Sequence, residues 1–409
     1  MSINRRSVRF RNNKKIQAKE IKIITSTLLV VIFACSTILV AKNIKNKKYV
    51  EDKQEEVNRY ISEIFKSVDD ENQDNTKYVK ITFTGDILGR TDVYESVHDK
   101  NNDTYNFEPI FDEVRQYTKD SNLCVGNLET NFTKQEFSGN GKYNTPTNLG
   151  DSLKRMGVSV LNLANNHSMD YGMSGITDTK DFLDSIGIEN VGTNRGEENR
   201  FIVKEVNGIK IAFLSYTYGV NNENAEIEVD KYINLIDKDK IKNDIEEAKK
   251  QAEYICVNMH WGDIGTTEVT TEQKELADFL VESGANLILG THPSKVQQIE
   301  VKKNQQDDDV VIVYSMGNFL SDTSDMGIIL DIKLVKNSKE NKVTLGKVEY
   351  KPIYLLDKGK KSENRYKIID VKNALEKYSK GDTEEMDQKT YKKLADEYIN
   401  IGNLLESRQ

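Results

Sequence analysis

The stretch NLANNHSMDYG, residues 162–172, ends a hydrophobic segment in a cluster of polar side chains. The run VSVLNLA, residues 158–164, is rich in β-branched and apolar residues, which predicts a buried strand. Asn165, Asn166 and His167 then follow at the carboxyl end of that strand, where open α/β sheets usually carry their sites. The chain contains only 4 histidines in 409 residues, so His167 is a candidate functional residue.

The same design recurs along the chain. An apolar run ends abruptly in Gly, Asn, Asp, Glu or His in each of the following segments: YVKITFTGDILG (78–89), NLCVGNLET (122–130), YICVNMHWGD (254–263), NLILGTHPS (286–294) and VVIVYSMGNF (310–319). Helical patterns lie between them, at 105–119, 147–156, 174–186, 239–252 and 271–283. Strands that alternate with helices predict a layered α/β domain. Asn207-Gly208 between two apolar runs predicts a β-hairpin, so the sheet should be mixed.

The pattern changes after about residue 325. Residues 326–372 predict a β extension of two or three antiparallel strands with a polar turn at 336–342, and residues 373–409 predict one or two charged amphipathic helices. The organisation therefore predicts a main domain over 78–325 that is followed by these two segments.

The N-terminal region has the features of a signal-anchor. Residues 23–41 contain no charged side chain, and at about 1.5 Å per residue they are just long enough to cross a hydrocarbon core of roughly 30 Å. The basic residues precede this segment, which predicts a cytoplasmic tail over 1–22, a membrane helix over 23–42, a charged stalk over 43–77 and an exported body. A cleaved signal peptide and lipidation at Cys35 are the alternatives.

Charge and cysteine content limit the classes of function. Residues 1–22 contain eight basic residues and one acidic residue, a net +7, which leaves −15 for the rest because the whole chain has −8. An acidic body of this kind is not typical of a nucleic-acid-binding protein. Cys124 and Cys256 lie in apolar runs, where cysteine usually acts as a small hydrophobic residue, so we expect no structural disulfide.

Metal-binding types of side chain coincide at five predicted strand ends. These residues are Asp86, Glu129, Asn166 with His167, His260, and His292. Taken singly, Asp86 is compatible with a turn, Glu129 with a solvated carboxylate and each histidine with a buried or capping residue. Together they favour a site for Mn, Fe or Zn, because carboxylate, imidazole and amide oxygen are donors for these ions. His98, the remaining histidine, lies in a polar stretch.

Six motifs, in this order, resemble the CapA (PgsA) family of capsule proteins. They are TGDILGR, GNLET, LANNHSMDYG, HWGD, GTHPS with VQQIE, and YSMGNF, and they cover about residues 79–322. The resemblance implies a role in making, exporting or anchoring capsular poly-γ-glutamate, with membrane synthesis machinery as partner. The family is related to calcineurin-like metallophosphoesterases, which implies a mixed-sheet αββα sandwich.

The resemblance also assigns roles to residues. Asp86 corresponds to the carboxylate of a first metal and Glu129 to a bridging carboxylate, while Asn166, His260 and His292 correspond to ligands of a second metal. His167 corresponds to the histidine that contacts substrate and protonates a leaving group, with Asp170 to orient it. Asn165, Trp261 and Asn318 stand in the same motifs and are the candidate substrate contacts, although Trp261 is also compatible with packing.

Two positions depart from the phosphoesterase pattern. Leu88 and Ser294 occupy the places where that pattern has two further histidine ligands of the first metal. We therefore expect one tightly bound divalent metal. Three functions follow: a membrane-anchored component of an exported-polymer system, a metal-dependent hydrolase acting on a phosphoester or a poly-γ-glutamyl amide, and a non-catalytic polymer-binding scaffold.

Overall fold

The computed structural model describes Lys48 and residues 76–196, 199–221, 228–321, 325–337 and 342–406. The predicted tail, membrane helix and most of the stalk lie outside these residues. Among the helices that are described, none has both the length and the hydropathy needed to span a membrane.

The described residues form eighteen strands and nine α-helices. The strands are β1 (Thr76–Ile87), β2 (His98–Asp99), β3 (Thr104–Tyr105), β4 (Leu123–Leu128), β5 (Ser138–Asn140), β6 (Lys142–Asn144), β7 (Val160–Asn162), β8 (Glu189–Val191), β9 (Phe201–Val206), β10 (Ile209–Thr217), β11 (Tyr254–His260), β12 (Leu287–Thr291), β13 (Ile299–Lys303), β14 (Asp309–Val313), β15 (Asn318–Leu320), β16 (Met326–Asn337), β17 (Lys342–Asp357) and β18 (Tyr366–Asp370). The helices are α1 (Thr91–Ser96), α2 (Glu108–Phe111), α3 (Arg115–Lys119), α4 (Asn148–Met156), α5 (Gly172–Ser185), α6 (Lys238–Lys249), α7 (Thr271–Ser283), α8 (Val371–Ser379) and α9 (Gln388–Glu406).

Two mixed sheets contain most of these strands. The first has the order β18-β17-β16-β1-β4-β7-β8, with β15 also paired to β1. Its strands β1, β4, β7 and β8 are parallel, and β16 to β18 are antiparallel additions. The second has the order β13-β14-β12-β11-β10-β9, with a parallel centre and antiparallel edges. The mixed sheets confirm the expected α/β class.

The two sheets pack face to face, with helices on both outer faces. Phe83 of the first sheet and Phe213 of the second belong to one buried cluster between the sheets. A second cluster joins the outer face of the first sheet to α4 through Leu153, and a third joins the second sheet to α6 and α7 through Ile245 and Leu280. This helix–sheet–sheet–helix order is the αββα sandwich that the resemblance implied.

Local sequence signals account for several element boundaries. The β9–β10 hairpin turns at Asn207-Gly208, both with positive φ as a type I′ turn requires. Helix α7 begins with a capping box between Thr270 and Gln273. The predicted C-terminal β extension is present as β16, β17 and β18, and it completes the first sheet because β16 pairs directly with β1. Helices α8 and α9 follow it in the chain.

Candidate metal centre

The carboxyl ends of β4, β11 and β12 bring three ligand types together. Glu129 directly follows β4, His260 is the last residue of β11, and His292 directly follows β12. All three side chains are buried, and their potential ligand atoms lie within 4.8 Å of one another. Two ligand atoms of one tetrahedral Zn²⁺ lie about 3.4 Å apart, so the three side chains would have to move closer together to bind one ion.

Asp86 adjoins this group from β1. Its Oδ2 accepts a hydrogen bond from the His292 backbone N–H at 3.1 Å, and its Oδ1 accepts one from Asn127 Nδ2 at 2.7 Å. His292 has a φ of 97°, a left-handed conformation that is rare for a residue other than glycine. The loop after β12 therefore stores backbone strain where it meets Asp86, as functional loops often do.

Asn166 reaches the same point from the loop after β7. Its Oδ1 lies 2.7 Å from His260 Nε2, while His260 Nδ1 lies 3.0 Å from Thr291 Oγ1. Because an amide oxygen only accepts, His260 Nε2 carries the proton in this arrangement. A cation between Asn166 and His260 requires the other tautomer, in which Nδ1–H donates to the Thr291 hydroxyl and Nε2 is free to ligate.

Burial sets the protonation of the cluster. It raises the pKa of Asp86 to about 6, and together with the nearby Asp86 and Asp170 carboxylates it holds the pKa of Glu129 well above its usual range. Burial also lowers the pKa of His292 to about 4 and that of His260 well below its usual value, with neighbouring histidines adding to both effects. Without a cation, both imidazoles are neutral at pH 7, and the surroundings of Glu129 favour its protonated form.

His167 and Asp170 form a pair beside this cluster. His167 Nδ1 lies 2.7 Å from Asp170 Oδ2, and the same carboxylate oxygen accepts from the Tyr143 backbone N–H at 2.8 Å. The carboxylate thus holds the proton on Nδ1, so Nε2 is the atom that faces away from Asp170. The Tyr143 ring meets the imidazole edge-to-face at 4.5 Å between centroids, which further restricts the ring.

The three candidate substrate contacts have different surroundings. Asn165 is structural, because its Nδ2 donates to the Leu128 carbonyl and its Oδ1 accepts from the His167 N–H. Trp261 is only 1% exposed, packs in the core and donates its Nε1–H to the Tyr314 carbonyl at 2.9 Å. In the structure both side chains are engaged in these internal contacts. Asn318 pairs with Asp86 in register on β15 and stays at the site.

Sequence reasoning missed four residues around the cluster. Tyr218 is 51% exposed, and its ring lies 4.8 Å from that of His292 and stacks over that of His260 at 6.2 Å. Asn221 Nδ2 lies 3.3 Å from His167 Nε2. The other two are Asn127 and Thr291. Asn127 and Thr291 stand in the quoted strand-end motifs and were identifiable there. Tyr218 and Asn221 follow the β9–β10 hairpin, in a stretch where no sequence motif marks them.

The donor set fits a divalent cation. Neutral imidazoles with nearby carboxyl and amide oxygens are ligands of Mn, Fe and Zn ions, and Thr291 supplies an orienting hydroxyl to His260. At the two departing positions, Leu88 is buried and apolar and Ser294 has a φ of 60°. Neither is a nitrogen ligand, so the nitrogen donors cluster on the His260 side of the site.

Comparison with known proteins identifies relatives of this chain. The model of the family described as "Bacterial capsule synthesis protein PGA_cap" matches residues 80–323. The chain is 30% identical over 260 residues to the capsule biosynthesis protein CapA of Bacillus anthracis, covering 59% of each protein. It is 32% identical over 251 residues to the PGA biosynthesis protein CapA of Bacillus subtilis (strain 168), covering 59% of this chain and 63% of that one. The matches thus span about three fifths of each relative's length.

Solved structures show a more distant similarity. A phosphatase from Mycoplasma pneumoniae matches 68% of this chain and 95% of its own, with a TM-score of 0.43 and 14% identity. The calcineurin-like phosphoesterase YfkN from Bacillus subtilis matches 68% of this chain and 91% of its own, with a TM-score of 0.39 and 12% identity. At these values neither similarity bears on the activity of this chain.

Proposed function

This chain belongs to the family of bacterial capsule synthesis proteins, and from that membership we propose that it is a membrane-anchored component of an extracytoplasmic polymer system with a metal-dependent hydrolase-like site. Poly-γ-glutamate or a similar polymer is its partner, together with membrane synthesis machinery. The observation that carries the hydrolase-like site is the convergence of Glu129, His260 and His292 within 4.8 Å, beside Asn166 and Asp86.

The residues of the site have separate tasks in this proposal. Glu129, Asn166, His260 and His292 hold one divalent cation, which supplies Lewis-acid polarisation of the scissile amide or phosphoester. Asp170 accepts the Nδ1–H of His167 and so orients the ring, and Nε2, which faces away from Asp170, is the atom that would pass a proton to the leaving group as water attacks. Tyr218 and Asn221 border the open side of the cluster, where a substrate must approach.

Elemental analysis of the purified full-length chain tests the site first. We expect about one Mn, Fe or Zn per chain in the wild type and loss of the metal in His260→Ala and His292→Ala. His98→Ala is the matched control, because His98 lies on the β2–β3 hairpin and binds Asp103 instead. Equal metal content in all four proteins would contradict the assignment.

Substrate assays then separate the enzyme from a binding scaffold. The metal-loaded chain is incubated with poly-γ-glutamate and with a phosphodiester, and chain length and released phosphoester product are measured. The absence of histidine at Leu88 and Ser294 favours the second candidate, a non-catalytic polymer-binding scaffold. A chain that binds polymer without cleaving either substrate, and that restores surface polymer to a deletion strain when His167 is replaced by alanine, would establish the scaffold.

The anchor is part of the same proposal. The support is the uncharged segment 23–41, which follows a tail of net charge +7. External protease added to intact cells should digest the body of the protein while a cytoplasmic marker survives. Protection of the body until the membrane is broken would overturn this orientation.

A further inference from the structure

A cleft of about 600 Å³ lies where the C-terminal helix α9 meets the main domain. The rest of its lining comes mainly from two segments: residues 295–296, which follow β12, and residues 325–326, where β16 begins. Small-molecule sites in proteins usually measure roughly 300–1,000 Å³. The cleft shares no lining residue with the metal cluster, so it is a separate candidate site.

Part of the lining is apolar. Val296 and Met326 are 3% and 4% exposed, and both belong to the core between the sheets. From α9, Ile401 belongs to the same core and Leu404 packs against it. These side chains give the cleft an apolar surface for the hydrocarbon part of a ligand.

Three charged side chains line the cleft, and their charges sum to −1. Lys295 forms an ion pair with Asp325, and the two charges of that pair cancel. The third is Glu397, which stands one helical turn before Ile401 on α9. A cleft with a net negative charge favours a cationic ligand over an anionic one.

The carboxylate of Glu397 is incompletely neutralised. Its Oε1 lies 3.8 Å from Lys393 Nζ, but the same ammonium lies 3.2 Å from the Tyr354 hydroxyl and 4.8 Å from the centroid of the Tyr354 ring. Oε2 of Glu397 is buried and has no hydrogen-bond partner among the described residues. Burial raises the pKa of this carboxyl group. A positively charged donor would compensate both the burial and the missing hydrogen bond.

We propose that this cleft binds a small amphiphilic cation, a primary ammonium compound whose charged head pairs with Glu397 and whose hydrocarbon body lies against Met326 and Ile401. An ammonium group has three N–H donors and no acceptor, so it can complete the hydrogen bonding of the carboxylate without bringing an unpaired oxygen into the cleft. The inference does not depend on the proposed metal centre.

The test is a calorimetric titration of the metal-stripped, full-length chain in detergent with three probes of similar shape: benzylamine, benzyl alcohol and benzoate. Protein-free detergent solution is the blank. We expect one benzylamine per chain, with benzyl alcohol bound at least tenfold more weakly and benzoate more weakly still, because a charge-assisted hydrogen bond is about twice as strong as a neutral one. A wild type that binds benzylamine no more tightly than benzyl alcohol would overturn the proposal.

Variants then locate the bound amine. Glu397→Gln should bind benzylamine at least tenfold more weakly, and Lys295→Met, which leaves Asp325 without its counter-charge, should bind it at least threefold more tightly. Glu376→Gln on α8 is the matched control and should behave like the wild type. Glu376 has the same exposed fraction as Glu397, 32%, and a lysine four residues away at 3.7 Å, but it does not line the cleft. Unchanged affinity in both Glu397→Gln and Lys295→Met would count against the cleft.

A further control separates this inference from the proposed function. Glu129→Gln alters the carboxyl group of the metal cluster and should leave benzylamine binding unchanged, because Glu129 does not line the cleft. Weaker benzylamine binding in Glu129→Gln, together with unchanged binding in Glu397→Gln, would place the amine at the metal cluster and overturn the cleft. A chain that binds no metal but still binds benzylamine through Glu397 would overturn only the metal centre.

Discussion

Metal binding to the cluster should release a defined number of protons. At pH 7 the histidines are already neutral, because burial lowers the pKa of His292 to about 4 and that of His260 further below its usual value. Burial and the nearby Asp86 and Asp170 carboxylates favour the protonated form of Glu129, since they hold its pKa well above the usual range. A cation should therefore displace protons mainly from Glu129.

The number of protons released should rise at lower pH, because Asp86 is then also protonated before the metal binds. With a pKa of about 6, Asp86 is only ~10% protonated at pH 7 and ~75% protonated at pH 5.5. The charge of the neighbouring cation favours loss of that proton, so that the share of the release that comes from Asp86 grows by about 0.7 proton between pH 7 and pH 5.5. The affinity for metal should accordingly increase with pH, and more steeply near pH 5.5 than near pH 7 because Asp86 then also loses a proton.

Isothermal titration of zinc in two buffers with different ionisation enthalpies measures this release. In Glu129→Gln, binding is weaker and release at pH 7 should fall to about 0.1 proton, the share of Asp86. The exposed Glu136→Gln is the matched control and should behave like the wild type. Release that persists in Glu129→Gln would show that the histidines, with ordinary pKa values, supply the protons, and would refute the reasoning from burial.

Four further outcomes follow from individual contacts. Thr291→Val removes the hydroxyl 3.0 Å from His260 Nδ1 and should weaken metal binding by about 10- to 100-fold, measured by competition with a chelating dye. Asp170→Asn should lower turnover at the pH optimum and move the alkaline limb of the pH–rate profile to lower pH while metal content stays unchanged, because a general acid acts only while it holds its proton; an unshifted profile would argue against its role. Gly85→Ala should lower the free energy of unfolding by several kcal/mol in denaturant titration, because its Cβ would overlap a backbone carbonyl. Asn258→Leu should raise the free energy of unfolding by about 1–3 kcal/mol, because both polar atoms of the Asn258 amide are buried without partners. A lower free energy of unfolding would show that the amide has a partner in the interior.

The elements of the fold were predictable because their signals are local. Period-2 and period-3.6 hydrophobic patterns identified the main strands and helices, and the Asn207-Gly208 turn identified the hairpin that makes the second sheet mixed. The region 105–119, predicted as one helix, contains the two short helices α2 and α3. The hydrophobic residues of this region, including Phe111 and Val114, all pack into one buried cluster. The region meets this packing with two short helices and not with one continuous helix.

The candidate site was predictable in its types of residue and not in its contacts. Strand-end motifs identified Asp86, Glu129, His260 and His292, because short apolar runs that end in a polar residue are visible in the sequence. Trp261 directly follows His260, but successive residues of an extended chain point to opposite sides, and the Trp261 side chain packs into the core.

The sequence by itself determined which side chains stand at the ends of the strands, since a strand and its end are properties of a few consecutive residues. Only the tertiary structure decided that Asn127, Asp86 and Asn318 lie side by side and that Tyr218 covers the histidines. Those neighbours come from strands far apart in the chain, and their register depends on how two sheets pack and where glycines allow close backbone approach. Burial, which sets the protonation of Glu129 and His260, is likewise a property of the packed molecule.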